Sequence, residues 1–238
     1  MGSVTSAMSH SASDCRLVAA HGAGSEAAFL AEAFPADVVG VLDTRFVDDR
    51  TGRIGAVMSA IAAAATPDRP AILGGVSLGA HAAARLLARA DRPSHVVAGL
   101  LVMPAWTGSP ERVANMTGAA AEALEVLGPT GVLAELDPDD WVTPLLQRAW
   151  SRRRPAALVA ELRTAAEQAG PTDEELRAIA VPVGVVALRD DPLHPVSVAR
   201  HWAEKIPRAT VVELDRGEPG TGLACFGRAA RVALGRWT

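Results

Sequence analysis

The chain is 238 residues long, 49% hydrophobic and 21% charged, with a net charge of −4. That balance describes a folded globular protein, excludes a disordered chain and, with no basic stripe, excludes a nucleic-acid partner. Aromatic residues make up only 4% and tyrosine is absent, so small aliphatic side chains must fill most of the core. Cys15 and Cys225 lie far apart and match no metal or redox spacing, which predicts reduced bystanders in a cytoplasmic protein. No apolar run approaches the roughly 20 residues that span a bilayer, so no membrane partner is expected. The short basic run Arg152-Arg153-Arg154 reads as a solvated helix junction.

In chain order, residues 1–14 are Ser/Ala/Gly-rich and read as a flexible tail outside the fold. Arg16 to Ala20 is a short apolar strand ending at His21-Gly22-Ala23-Gly24. Asp37 to Leu42 reads as a second strand, ending at Asp43. Ile54 to Ala65 is an alanine-rich helix stopped by Thr66-Pro67. Ala71 to Val76 is a third strand, followed by a helix from Leu78 to Ala90 with Leu78, Ala82 and Leu86 on one face. His95 to Met103 is near-continuously apolar, as befits a strand covered on both sides.

Between Thr107 and Ala180 the pattern becomes helical. Val113, Met116, Ala120, Leu124 and Leu127 follow helical spacing, and Trp141 to Arg152 and Pro155 to Ala169 form further helices. Gly128-Pro129, Asp137-Pro138 and Gly170-Pro171 break them, and Thr172-Asp173-Glu174-Glu175 is a capping box opening one more. Alternation then resumes with strand Val183 to Leu188, helix Val196 to Ile206, strand Thr210 to Leu214 and helix Phe226 to Trp237. The expected fold is α/β: a mostly parallel, doubly wound sheet built from residues 15–106 and 181–238, with a helical lid insertion at 107–180.

Gly75-Val76-Ser77-Leu78-Gly79 sits where a strand meets a helix. Glycines flank the serine because a side chain there would collide with neighbouring backbone, and the turn lifts Ser77 Oγ above the sheet. The helix amino end favours developing negative charge, so the Leu78 N–H is a natural oxyanion donor. With His21-Gly22-Ala23-Gly24 after the first strand, the chain resembles the α/β-hydrolase superfamily. That resemblance implies Ala23 N–H as the second oxyanion donor and His21 as a residue shaping the loop beside the pocket. It also implies that Asp191, in Arg189-Asp190-Asp191-Pro192-Leu193-His194-Pro195, is the acid that orients an imidazole, with Asp190 as runner-up.

The chain departs from the family at the histidine, which usually follows the last strand as a Gly-His pair. Here that strand leads into Asp215-Arg216-Gly217-Glu218-Pro219, and no histidine follows His201. General-base assistance is worth roughly 10²–10⁴-fold, so a replacement matters. His194, between prolines on the acid loop, is the first candidate base. His81, one turn beyond Ser77, and Glu218, near the expected imidazole position, are the alternatives. His10, His95 and His201 are weaker. Trp106, after the fourth strand, should wall the substrate pocket, with Trp141 and Trp150 contributing from the insertion or packing within it.

These residues predict a cofactor-free and metal-free enzyme acting on a small molecule with an ester, thioester or lactone carbonyl. Ser77, Asp191 and His194 would be its catalytic set. A second expectation is a cyclase, lyase or isomerase that moves a proton with Glu218 or Asp191. A third is a silent ligand-binding homologue.

Overall fold

Six strands, all parallel, form one sheet in which the first strand lies between the second and the third, and the third to sixth follow in chain order to the far edge. A computed structural model describes residues 11–235. Its strands are β1 (Arg16–Ala20), β2 (Asp43–Val47), β3 (Ala71–Val76), β4 (Val96–Val102), β5 (Val183–Leu188) and β6 (Ala209–Leu214). Helices α1 (Ala27–Ala33), α2 (Ala36–Val39), α3 (Ile54–Ala64) and α4 (Leu78–Leu87) precede or follow the early strands. Helices α9 (Val196–Lys205) and α10 (Ala224–Leu234) complete the two outer layers. Residues 1–10 of the expected tail, His10 among them, and the last residues of the expected final helix lie outside the described residues.

Successive side chains of a strand point to opposite faces, and both faces of this sheet are covered. On one face Val18, Leu73, Leu101 and Val185 pack with Ile61 of α3 and Trp202 of α9. On the other, Leu17, Ile72, Leu100 and Val186 pack with Phe29 of α1 and Phe226 of α10. Double burial explains why β1, β3, β4 and β5 read as unbroken apolar runs.

The second strand does not lie where the apolar run placed it. Residues 36–39 form α2, closed by Gly40 at φ 82°, and β2 begins at Asp43. The apolar Val39 and Val41 are buried as helix and turn residues in the α1/α10 layer. The true strand is at the sheet edge and only half-buried, so it tolerates Asp43, Thr44 and Arg45. Asp43 accepts two hydrogen bonds from the buried Arg16 guanidinium, at 2.8 and 2.9 Å, which ties edge to centre. Helix α1 carried no distinct sequence signal.

All secondary structure between β4 and β5 is helical: α5 (Glu111–Ala134), α6 (Val142–Ser151), α7 (Pro155–Ala166) and α8 (Asp173–Ala178). Helix α5 is broken at Gly128 (φ 68°, ψ 170°), one residue before Pro129. Leu124, Trp150, Leu158 and Leu162 give α5–α7 a small core of their own. Helix α8 opens with the expected capping box, Thr172 and Glu175 each accepting the other's backbone N–H. Its Leu176 belongs to the sheet's own core, so α8 joins the body and only α5–α7 roof the carboxyl edge.

The tightest packing lies at the start of α4. A Cβ on Gly79 would sit 2.0 Å from the Ala20 carbonyl oxygen, and one on Gly75 2.3 Å from the Gly79 carbonyl carbon. Gly79→Ala therefore has to push α4 off β1, and urea unfolding should show a loss of about 3 kcal/mol. An unchanged unfolding midpoint would show that this packing is not tight.

Candidate active site

Among the described residues three non-glycine residues adopt left-handed backbone, and all three follow a strand's carboxyl end: Ser77 (φ 53°), Met103 (φ 49°) and Asp190 (φ 60°). Such conformations cost on the order of 1–3 kcal/mol and concentrate at sites where structure over-determines them. Ser77 joins β3 directly to α4, its N–H held by the Val102 carbonyl at 2.9 Å. Leu78 is the first residue of α4, where the helix supplies no acceptor for the backbone N–H. Across from it, Gly22 lies so close that a Cβ there would be 2.9 Å from Ser77 Cβ.

Ser77, Leu78, Ala23, Asp191, His194 and Trp106 all line one cavity of about 410 Å³ beneath α5–α7. Trp141 and Trp150 line it too, so the insertion's tryptophans face the cavity. Among the described residues, the only charged side chain on its wall apart from Asp191 and His194 is Arg216. That residue follows β6, where the family's histidine is expected, and its Nη2 pairs with Asp140 Oδ2 of the insertion at 2.8 Å.

The loop after β5 is organised around one carboxylate oxygen. Asp191 Oδ1 accepts the backbone N–H groups of Leu193 and His194, at 2.9 and 2.8 Å, and His194 Nδ1 at 3.2 Å. This contact places a proton on Nδ1 and leaves Nε2 as the free lone pair. His194 Nε2 is buried without a hydrogen-bond partner. Ser77 Oγ is likewise not bonded to it. Asp190 is exposed, which removes it as runner-up.

The two alternative bases do not face the cavity. His81 is fully buried, and its Nε2 accepts the Ala105 N–H at 3.1 Å, so its proton is on Nδ1. Its ring packs 4.0 Å from Trp106 and 5.0 Å from Trp202, centroid to centroid. Burial, and then the charge of His194, push its pKa down to about 3. The helical spacing that put His81 on the serine's side of α4 also drove it under the elbow. Glu218 turns back on its own loop, Oε1 accepting the Asp215 N–H at 2.8 Å, and Arg216 takes the cavity wall instead. His95 and His201 are engaged elsewhere, by the Ala65 carbonyl and by Asp173.

His21 does not line the cavity as expected of a pocket residue. It is buried, with Nδ1 2.7 Å from the Gly22 carbonyl and Nε2 2.9 Å from Asp48. The basic run also divides: Arg152 and Arg154 are exposed, but the Arg153 side chain is buried against Glu161 of α7. Arg216, Arg153 and Glu161 carry no sequence motif, because each acquires its role only when the insertion folds over the sheet. Among the described residues no cluster of side chains suits a metal ion, both cysteines are free and buried, and no helix is long and apolar enough to cross a membrane.

Burial alone would raise the Asp191 pKa, but the His194 ring and charge and the two backbone N–H groups outweigh it and hold it at about 2, against an ordinary 3.8. A depressed carboxylate contributes stability that is present above its unfolded value and lost as pH falls towards its folded one. Urea unfolding should therefore lose about 2 kcal/mol between roughly pH 4 and pH 2, a component that Asp191→Asn lacks. The same acid-side slope in both proteins would count against this pairing.

No family model matches the sequence, and no curated protein matches it. Solved structures do. A bromoperoxidase from Bacillus anthracis superposes with a TM-score of 0.72 at 12% identity, covering 95% of this chain and 93% of that one. An esterase from Rhodococcus sp. gives 0.66 at 21% identity, over 95% and 92%. The enol-lactonase from Burkholderia xenovorans gives 0.64 at 18%, over 86% and 84%. The parallel sheet, the serine turn between β3 and α4 and these superpositions together show that the protein has the α/β-hydrolase fold.

Proposed function

We propose that the protein is a serine hydrolase that cleaves a carboxylic ester, thioester or lactone carrying an apolar group. The observation that carries this reading is His194: Nδ1 is turned to Asp191 and Nε2 is buried without a partner in the cavity that Ser77 lines. A buried nitrogen lone pair with nothing to accept is costly unless a proton is brought to it. The nearly apolar wall, with three tryptophans, favours an acyl or alcohol part that is itself apolar. An esterase and an enol-lactonase among the structural neighbours support the carbonyl chemistry.

In this mechanism His194 Nε2 takes the Ser77 hydroxyl proton as Oγ attacks the carbonyl carbon. Asp191 keeps Nδ1–H oriented and stabilises the imidazolium. The carbonyl oxygen, now negative, accepts hydrogen bonds from Ala23 and Leu78 N–H. The imidazolium then protonates the leaving group, and water repeats the sequence on the acyl-enzyme. Ser77 and His194 are not hydrogen-bonded in the free protein; such bonds often tighten only once substrate is bound.

That open pair also favours a second reading, in which His194 removes a proton from the substrate itself and the N–H pair holds an enolate. One set of measurements separates the two. A fluorophosphonate should label Ser77, and Ser77→Ala should abolish both label and turnover of a p-nitrophenyl hexanoate. His194→Gln should lower kcat by about 10³-fold. An unlabelled Ser77, or an unchanged rate in His194→Gln, would end the hydrolase reading. Retained turnover in Ser77→Ala with loss in His194→Gln would favour the second.

A further inference from the structure

Glu161 is the most deeply buried carboxylate among the described residues, 2% exposed, and the mechanism above does not use it. It lies on α7, yet its Oε1 accepts the backbone N–H of Gly24, in the loop after β1, at 2.8 Å. Its Oε2 pairs with Arg153, whose side chain is 5% exposed. The carbonyl of the same Gly24 accepts Trp150 Nε1–H at 2.9 Å, again from the insertion. Gly24 is left-handed at φ 74°, with Leu162 of α7 3.3 Å from where its Cβ would be. Gly52, at φ 70°, lets the α7 backbone come closer still, since a Cβ there would be 2.2 Å from the Glu161 carbonyl oxygen.

Taken peptide by peptide, this loop has no free plane. The Gly22–Ala23 peptide is held by its carbonyl, which faces His21 Nδ1 at 2.7 Å and accepts Ser25 N–H at 3.2 Å. Its other end is the Ala23 N–H, which donates to no group among the described residues. The Ala23–Gly24 peptide is held by Glu161 and the Gly24–Ser25 peptide by Trp150. A hydrogen bond to an ionised acceptor is roughly twice as strong as a neutral one, which suits a site where angle matters. A salt bridge serving stability alone needs no N–H of a catalytic loop, and apolar side chains of the same size serve that purpose at least as well.

We infer that Glu161 and Trp150 are positioning residues: from the insertion they hold the N–H and the carbonyl of Gly24, and by fixing these two peptides they keep the preceding Gly22–Ala23 peptide, and with it the Ala23 N–H, turned towards the reacting carbonyl oxygen. The inference rests on the hydrolase reading for its chemistry, and the loop's rigidity gives an independent measure. The roof over the cavity thereby becomes part of the oxyanion site, and the two cannot separate without loosening the donor.

The test uses Trp150→Phe, which keeps the ring and removes the N–H, and Glu161→Leu/Arg153→Leu, which removes the acceptor without stranding a buried cation. Each should lower kcat for the p-nitrophenyl ester about tenfold with KM within about twofold. Binding of an alkyl trifluoromethyl ketone, which forms an oxyanion with Ser77, should weaken by the same factor. Glu161→Gln/Arg153→Leu, whose amide oxygen still accepts the Gly24 N–H with no cation left unpaired, should recover most of the loss. Amide exchange at Gly24 should be faster by about tenfold in the first two variants. Folded variants with wild-type kcat, ketone affinity and exchange overturn the proposal. A wild-type protein that neither turns over esters nor binds the ketone defeats the hydrolase reading instead. The exchange rates then decide the clamp alone, and unchanged rates overturn it.

Discussion

Everything at the carboxyl edge depends on how closely the start of α4 approaches β1 and β3. The helix can lie against the sheet only because Gly75 and Gly79 offer no Cβ to the backbone opposite them. Close approach leaves no room for a gradual turn, so one residue must reverse the chain, and Ser77 takes the left-handed conformation. The hydroxyl is lifted towards the cavity and the unpaired N–H of Leu78 follows it as part of the same turn. Gly22, within van der Waals reach of Ser77, brings the loop after β1 to the same spot. In the proposed chemistry the serine and its two oxyanion donors are thus products of one packing constraint.

The insertion adds what the sheet lacks. An all-parallel sheet leaves its carboxyl edge open, and a shallow apolar edge holds a small molecule poorly. Helices α5–α7 close that edge with tryptophan and aliphatic side chains, and they tie down to the body through charged groups. Arg148 of α6 bonds Glu26 at 3.0 Å, and Arg216 reaches Asp140 from the other side. Both pairs are part-buried, with Glu26 itself buried, and they set where the roof sits. Glu161 with Arg153 differs in being buried, where an unpaired charge is expensive and geometry is correspondingly strict.

The sheet was legible because burial on both faces writes itself into the sequence as uninterrupted runs. Strands β1, β3 and β5 have the bounds that the apolar pattern indicates. The edge strand β2 was not legible, since it is half-buried and carries Asp43 and Arg45 while the neighbouring apolar residues were claimed by α2; β6, at the other edge, keeps enough apolar residues to show. The serine turn showed in its glycines, whose absence of side chain has a local cause. By contrast, the placement of His81, Glu218 and Arg216 follows from which neighbours they meet across the fold. Helical spacing brought His81 to the correct side of α4 and said nothing about Trp106 and Trp202 closing around it. His194 was readable as a candidate because its partner is three residues away in sequence, and a local contact leaves a local trace.

That local contact has a consequence for how the site tolerates change. Where an acid and an imidazole come from separate loops, their alignment depends on the packing of two segments against each other. Here both belong to the five residues Asp191 to Pro195, closed on a single carboxylate oxygen by three N–H groups. The pair is self-contained, so the loop after β6 is relieved of any part in orienting it and is free to vary in length and composition. In the proposed chemistry, reactivity and substrate choice are therefore written on different loops: one rigid module behind β5, and one adaptable wall segment, carrying Arg216, behind β6.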